Sequence, residues 1–188
     1  MFILFPIKVL AFDFYFSFSL IGSTTIPTFL NNTNLDSVMK IYNAEAFSFG
    51  ISMPIFSKYL LSFQLGYLSK GIYGNEDNYF NLYNLFFKSV FSKVVLKSQV
   101  TQINFNFGLL FSYLLYALLR NRNYNQIIDI INISNFSPFN FGISLGYQFK
   151  FKKVAFEIGL NLTFIDENIR DSQYFLSGWI ELSLFYFI

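Results

Sequence analysis

Residues 139–164 read FNFGISLGYQFKFKKVAFEIGLNLTF. Phe139, Phe141, Ile143, Leu145, Tyr147 and Phe149 occupy every odd position, with Asn140, Gly142, Ser144, Gly146 and Gln148 between them. After KFKK the alternation resumes: Val154, Phe156, Ile158, Leu160, Leu162 and Phe164 share one parity, and Ala155, Glu157, Gly159, Asn161 and Thr163 the other. A period of two marks β-strands, and the break between the runs marks a hairpin turn.

The same pattern recurs along the chain and predicts eight strands. They cover 12–22, 46–54, 59–69, 81–91 (the least regular, with Tyr83, Leu85, Phe87 and Phe91 on the apolar side), 103–116, the hairpin pair 139–149 and 154–164, and 175–188. The connections alternate in length. Those at 23–45, 70–80, 117–138 and 165–174 are long, and those at 55–58, 92–102 and 150–153 are shorter. Long connections at one end and short turns at the other are the signature of an up-and-down barrel crossing an outer membrane, with an even strand number leaving both termini on the periplasmic side. Eleven residues at about 3.3 Å each, tilted by about 40°, span roughly 28 Å, the height of a bilayer's apolar band. Tyr59 and Tyr67 bracket the apolar face of the third strand, where an interfacial girdle places aromatics.

Composition decides which face is wet. The chain of 188 residues is 54% hydrophobic, 22% aromatic and only 13% charged, about half the charge of a soluble domain. A soluble barrel would hold rows of Phe in its lumen and show water a nearly uncharged Gly-Ser-Asn surface. The membrane arrangement inverts this: Phe, Leu and Ile face lipid, and the narrow bore holds the small polar side chains. The sheet must close, because an open edge in hydrocarbon leaves backbone groups unpaired. The strongest helical alternative, 103–119, is short, contains Asn104, Asn106, Gly108 and Ser112, and alternates in its first half. The expected fold is therefore all-β, a closed eight-stranded antiparallel up-and-down transmembrane barrel. It occupies 12–188 as one domain, with 1–11 the remnant of a signal peptide: Val9 and Ala11 would precede a cut at Phe12, although the segment lacks a basic start.

Charge supplies the candidate sites. Asp13, Lys88, Glu157 and Glu181 lie within strands at bore parity. The eighth strand closes on the first, so Asp13, Glu157 and Glu181 are expected to gather, with Lys88 reaching across. Gln64 and Asn161 extend this lumen polar network. One reading is a buried hydrogen-bonded network; the other is a proton- or cation-sensitive constriction. The short connections carry Lys58, Lys93, Lys97, Lys150, Lys152 and Lys153 without an acid, and Lys150, Lys152 and Lys153 form a basic cluster in a periplasmic turn. These lysines are either simply solvated or touch anionic headgroups or an acidic partner.

Much chemistry is excluded. With no histidine and no cysteine, Ser-His and Asp-His hydrolysis, disulfides and thiolate metal sites are impossible. The net charge of +2 and the lack of a basic stripe or Gly-rich phosphate loop argue against nucleic acid and nucleotides. The pairs Glu76–Asp77 and Asp166–Glu167 lie in loops and are read as solvated. Neither catalytic residues nor a cofactor or metal is expected.

The stretches SFGISMPIFSKYLLSFQLGYLSKG (48–71), INFNFGLLFSYLLYA and the hairpin 139–164 resemble the porin-like outer-membrane β-barrel family and the OmpA-type eight-stranded transmembrane domain. The resemblance implies residence in the bacterial outer membrane, insertion by the barrel-assembly machinery, and long loops on the cell surface whose variation sets function. On it, the protein is expected to be a monomer in outer-membrane lipid, with a structural role and a host or environmental ligand at the long loops, or else a narrow pore or transport-accessory barrel. Such chains usually end in Phe. This one ends FYFI, with Leu184, Tyr186 and Ile188 keeping the outward parity of that signal.

Overall fold

The computed structural model describes residues 12–27, 42–73, 78–121, 126–129, 139–167 and 173–188. The proposed leader remnant 1–11 and the centres of the long connections lie outside the described residues. Among the described residues the chain forms β1 (Asp13–Pro27), β2 (Tyr42–Phe56), β3 (Tyr59–Tyr73), β4 (Asn78–Lys97), β5 (Thr101–Asn121), β6 (Gln126–Asp129), β7 (Phe139–Phe151), β8 (Val154–Glu167) and β9 (Gln173–Phe187). Each strand pairs antiparallel with the next, except that β5 pairs with β7 while the short β6 folds back on the end of β5. β9 then pairs with β1, from Tyr15 opposite Phe187 to Pro27 opposite Phe175, and closes an eight-stranded barrel. The segment 103–119, which a helix could have claimed, lies within β5.

The alternation is realised as burial. Phe14, Phe16, Phe18 and Leu20 of β1 are exposed on the outer wall, while Tyr15, Ser17, Ser19 and Ile21 are buried in the bore. β9 does the same, with Ile180, Leu182, Leu184 and Tyr186 outside and Trp179, Glu181, Ser183, Phe185 and Phe187 inside. An outer wall of exposed Phe, Leu and Ile is an apolar surface far larger than a soluble monomer carries. It is the wall of a membrane barrel.

The strands run past the limits of the apolar alternation at both ends. β1 and β2 pair as far as Ser23 opposite Tyr42, and β4 and β5 from Asn78 opposite Asn121 to Lys97 opposite Gln102. The hydrophobic pattern stops at the edge of the lipid band, but backbone pairing continues in water. The expected connection 92–102 thus shrinks to Ser98–Val100. There the Ser98 hydroxyl accepts hydrogen bonds from the amides of Val100 and Thr101 at 3.3 and 3.0 Å. Register shifts after Pro54, after Val94 and between Leu114 and Tyr116 also break the alternation locally. At the last of these Leu115 and Tyr116 are both exposed, as an inserted residue requires.

The bore corrects one expectation. It is not lined by small polar side chains alone but is layered. Toward the long connections lies an apolar layer of Ile21, Ala46, Leu68, Phe86, Leu110 and Trp179. A charged and polar layer follows. Nearer the short turns, Tyr15, Phe185 and Phe187 form an aromatic group with Ala155, Tyr15 lying 5.4 Å from Phe185 and 5.3 Å from Phe187. Gly66 makes room for the first layer: a Cβ there would run into the Phe47 carbonyl, Ser48 and the Phe86 ring.

Aromatic girdles ring the outer wall. Tyr67, Tyr83 and Tyr116 stack in sequence across β3, β4 and β5 at 6.2 and 4.4 Å. Toward the turns, Tyr59 stacks on Phe91 at 5.2 Å, and Phe105 meets Tyr147 at 5.2 Å. The turn end is also stitched between hairpins: the Val94 amide donates to the Lys58 carbonyl, Lys152 to Val100, Phe187 to Lys153 and Ile188 to Phe14.

Candidate functional site

A buried group of charged and polar side chains lies midway along the bore. β4 delivers Lys88, β8 Glu157 and β9 Glu181, each at inward parity, and all three are buried. Lys88 Nζ lies 3.7 Å from Glu157 Oε1 and 3.5 Å from Glu181 Oε2. One ammonium thus serves two carboxylates, and neutral donors make up the difference. Glu181 Oε1 accepts from the Ser19 and Ser183 hydroxyls at 2.8 and 2.7 Å, and Oε2 from Asn161 Nδ2 at 2.8 Å. Glu157 Oε2 accepts from Asn106 Nδ2 at 2.7 Å and from Gln148 Nε2 at 3.4 Å. Charges withdrawn from water persist only with such partners, and hydrogen bonds to an ionised acceptor are the strong ones. Gly146 and Gly159, paired across β7 and β8, leave the space beside the Glu157 carboxylate open.

Two expected members stand elsewhere. Asp13 does not join Glu157 and Glu181. It sits at the mouth of the bore with its side chain 56% exposed, paired with Lys150 at 3.0 Å. Inward parity was shared by all three acids, but Asp13 lies at the start of β1, opposite Ser52, while Ser19, six residues on, reaches Glu181. Gln64 pairs across the ladder with Lys88, but its amide donates to Ser17, at 3.0 Å, and to Ser48. It thus anchors a separate hydroxyl group, in which Ser17 and Ser48 also bond each other.

The basic cluster also divides. Lys152 and Lys153 form the two-residue turn, but Lys150 is a strand residue of β7. Its inward parity carries Nζ to Asp13 and to 3.6 Å above the centre of the Phe187 ring. Lys93 and Lys97 are likewise in a strand, β4, not in a turn. Lys152 has φ of 52°, the left-handed region, and its ammonium lies 5.7 Å from the centre of the Phe151 ring.

A cavity of about 220 Å³ enters the bore at the turn end. Asp13, Lys97 and Lys150 are at its rim, Gln64, Asn104, Asn106 and Gln148 along its walls, and Glu157 at its deep end. The contributions of Asn106, Ser19 and Ser183 were not singled out from sequence. Their parity marked them as bore residues, but which of many Asn and Ser stand at the height of Lys88 depends on strand stagger.

Among solved structures the chain is similar to Ail, the attachment invasion locus protein of Yersinia pestis, at 8% identity over 94% of this chain and 98% of that one, with a TM-score of 0.52. It is also similar to Neisserial surface protein A, at 12% identity over 92% and 96%, with a TM-score of 0.58. No protein-family model and no curated protein matches the sequence. Closed ring, inverted faces, aromatic girdles and these likenesses agree: the chain has the fold of the eight-stranded outer-membrane β-barrels.

Proposed function

We propose that the protein is a non-enzymatic integral outer-membrane barrel that supports the envelope and binds a host or environmental ligand through its long connections. In this reading the barrel-assembly machinery inserts it, the short turns and both termini face the periplasm, and the long connections face outward. The supporting observation is the filled bore. The apolar layer around Phe86 and Trp179 lies against a charged layer in which Lys88, Glu157 and Glu181 hold one another. A barrel so packed transmits little, which leaves the connections as the variable surface.

The test has two arms. Planar-bilayer recordings should show no steady conductance, and exchange of 28–41 or 122–138 for short turns should abolish binding to cells or matrix while leaving a heat-modifiable, β-rich barrel. The cavity reaching Glu157 favours a second reading, a narrow pore. Conductance that survives loop exchange and changes with Glu157→Gln would establish the pore instead.

A further inference from the structure

Lys93 is exposed on the outer wall of β4, at the parity of Leu85, Phe87 and Phe91. Its neighbours across the ladder are Tyr59 of β3 and Phe105 of β5. Phe105 in turn meets Tyr147 of β7. The lysine therefore sits inside an aromatic girdle, at the level where apolar rings give way to headgroups. A lysine there lays its stem on the apolar wall and lifts its ammonium into the polar layer. Lys58 is beside it: the Lys58 carbonyl accepts the Val94 amide at 2.8 Å, which ties the β2–β3 turn to the residue after Lys93. Beside the pair, Phe56 meets Tyr59 edge-on at 6.5 Å, and Tyr59 stacks on Phe91. Neither lysine has an ion-pair partner among the described residues. The acid described at this end, Asp13, is held by Lys150 at the bore mouth.

An outward Lys93 without an ion-pair partner among the described residues, an exposed second lysine in the adjoining turn and the rings of Phe56, Tyr59 and Phe91 beside them match the chemistry of a phosphodiester carrying acyl chains. We propose that Lys58 and Lys93, beside the rings of Phe56, Tyr59 and Phe91, form a binding site for an anionic phospholipid of the leaflet at the turn end. The ammonium groups face the phosphate, and the rings support the first methylenes of the chains. The proposal rests on the membrane reading of the barrel but not on what its loops bind.

The experiment reconstitutes the full chain into phosphatidylcholine with phosphatidylglycerol as the minor lipid and measures, by native mass spectrometry, which lipid stays bound. Heat-modifiable migration in phosphatidylcholine alone first scores barrel formation, so loss of the membrane reading and loss of the lipid site are separable. The wild type should retain phosphatidylglycerol preferentially at low salt. Lys58→Gln/Lys93→Gln should lose roughly 5-fold in that preference per lysine, Lys58→Arg/Lys93→Arg should keep it, and Lys97→Gln, at the cavity rim, should leave it intact. Should the glutamine pair fail to form a barrel, salt titration of the wild type decides: the preference must fall as salt rises. An undiminished preference in the glutamine pair or in high salt would overturn the proposal. So would an equal loss in Lys97→Gln, or full displacement by inorganic phosphate.

Discussion

Lys88 places a single ammonium between the buried carboxylates of Glu157 and Glu181. Its removal leaves two buried carboxylates facing each other without a counter-ion, so Lys88→Met should cost about 3–5 kcal/mol, read as a lower urea midpoint of the barrel in detergent. Adding Glu157→Gln and Glu181→Gln to that variant should recover most of the loss, because the amides can keep part of the bonding to Asn106, Asn161, Ser19 and Ser183. Gly66→Leu tests the apolar layer. Its side chain would displace Phe86, and the overpacking should cost about 1–3 kcal/mol in the same assay. The inward parity of Lys88, Glu157 and Glu181 was legible from the sequence, as was the exclusion of histidine chemistry. Axial height was not. Asp13 has the same parity yet pairs with Lys150, because the stagger of neighbouring strands sets which inward residues share a level and no local pattern encodes it.

At the scale of elements, all eight transmembrane strands were legible because lipid on one side and a packed bore on the other enforce a period of two. Their ends were not, since pairing continues beyond the lipid band, where nothing apolar marks it. β4 was the hardest to read, and its structure gives the reason: Leu82, Phe86 and Val90 point inward as apolar residues, so both faces of the strand look greasy. The turn at Lys152 places a lysine in a conformation that suits glycine. Lys152→Gly should stabilise the hairpin by about 0.5–1 kcal/mol, and Lys152→Val should destabilise it, both read as shifts in the urea midpoint.

For the whole molecule, the decisive property is the inversion of faces. A charge placed outward at mid-height, as in Leu182→Arg, should cost about 2–4 kcal/mol in lipid, while a basic residue at the level of Lys93 costs close to nothing. Unfolding in vesicles should show that contrast, and equal costs at the two depths would contradict a bilayer-spanning barrel. The packed bore carries a spectroscopic consequence. Trp179 is the sole tryptophan of the chain, and it is 3% exposed inside the barrel, not on the lipid-facing wall. Its emission should stay blue and indifferent to brominated acyl chains in the surrounding bilayer, and should redden only when water enters the cylinder. The protein thus holds a built-in fluorophore for the hydration of its own interior, blind to the solvent that surrounds it.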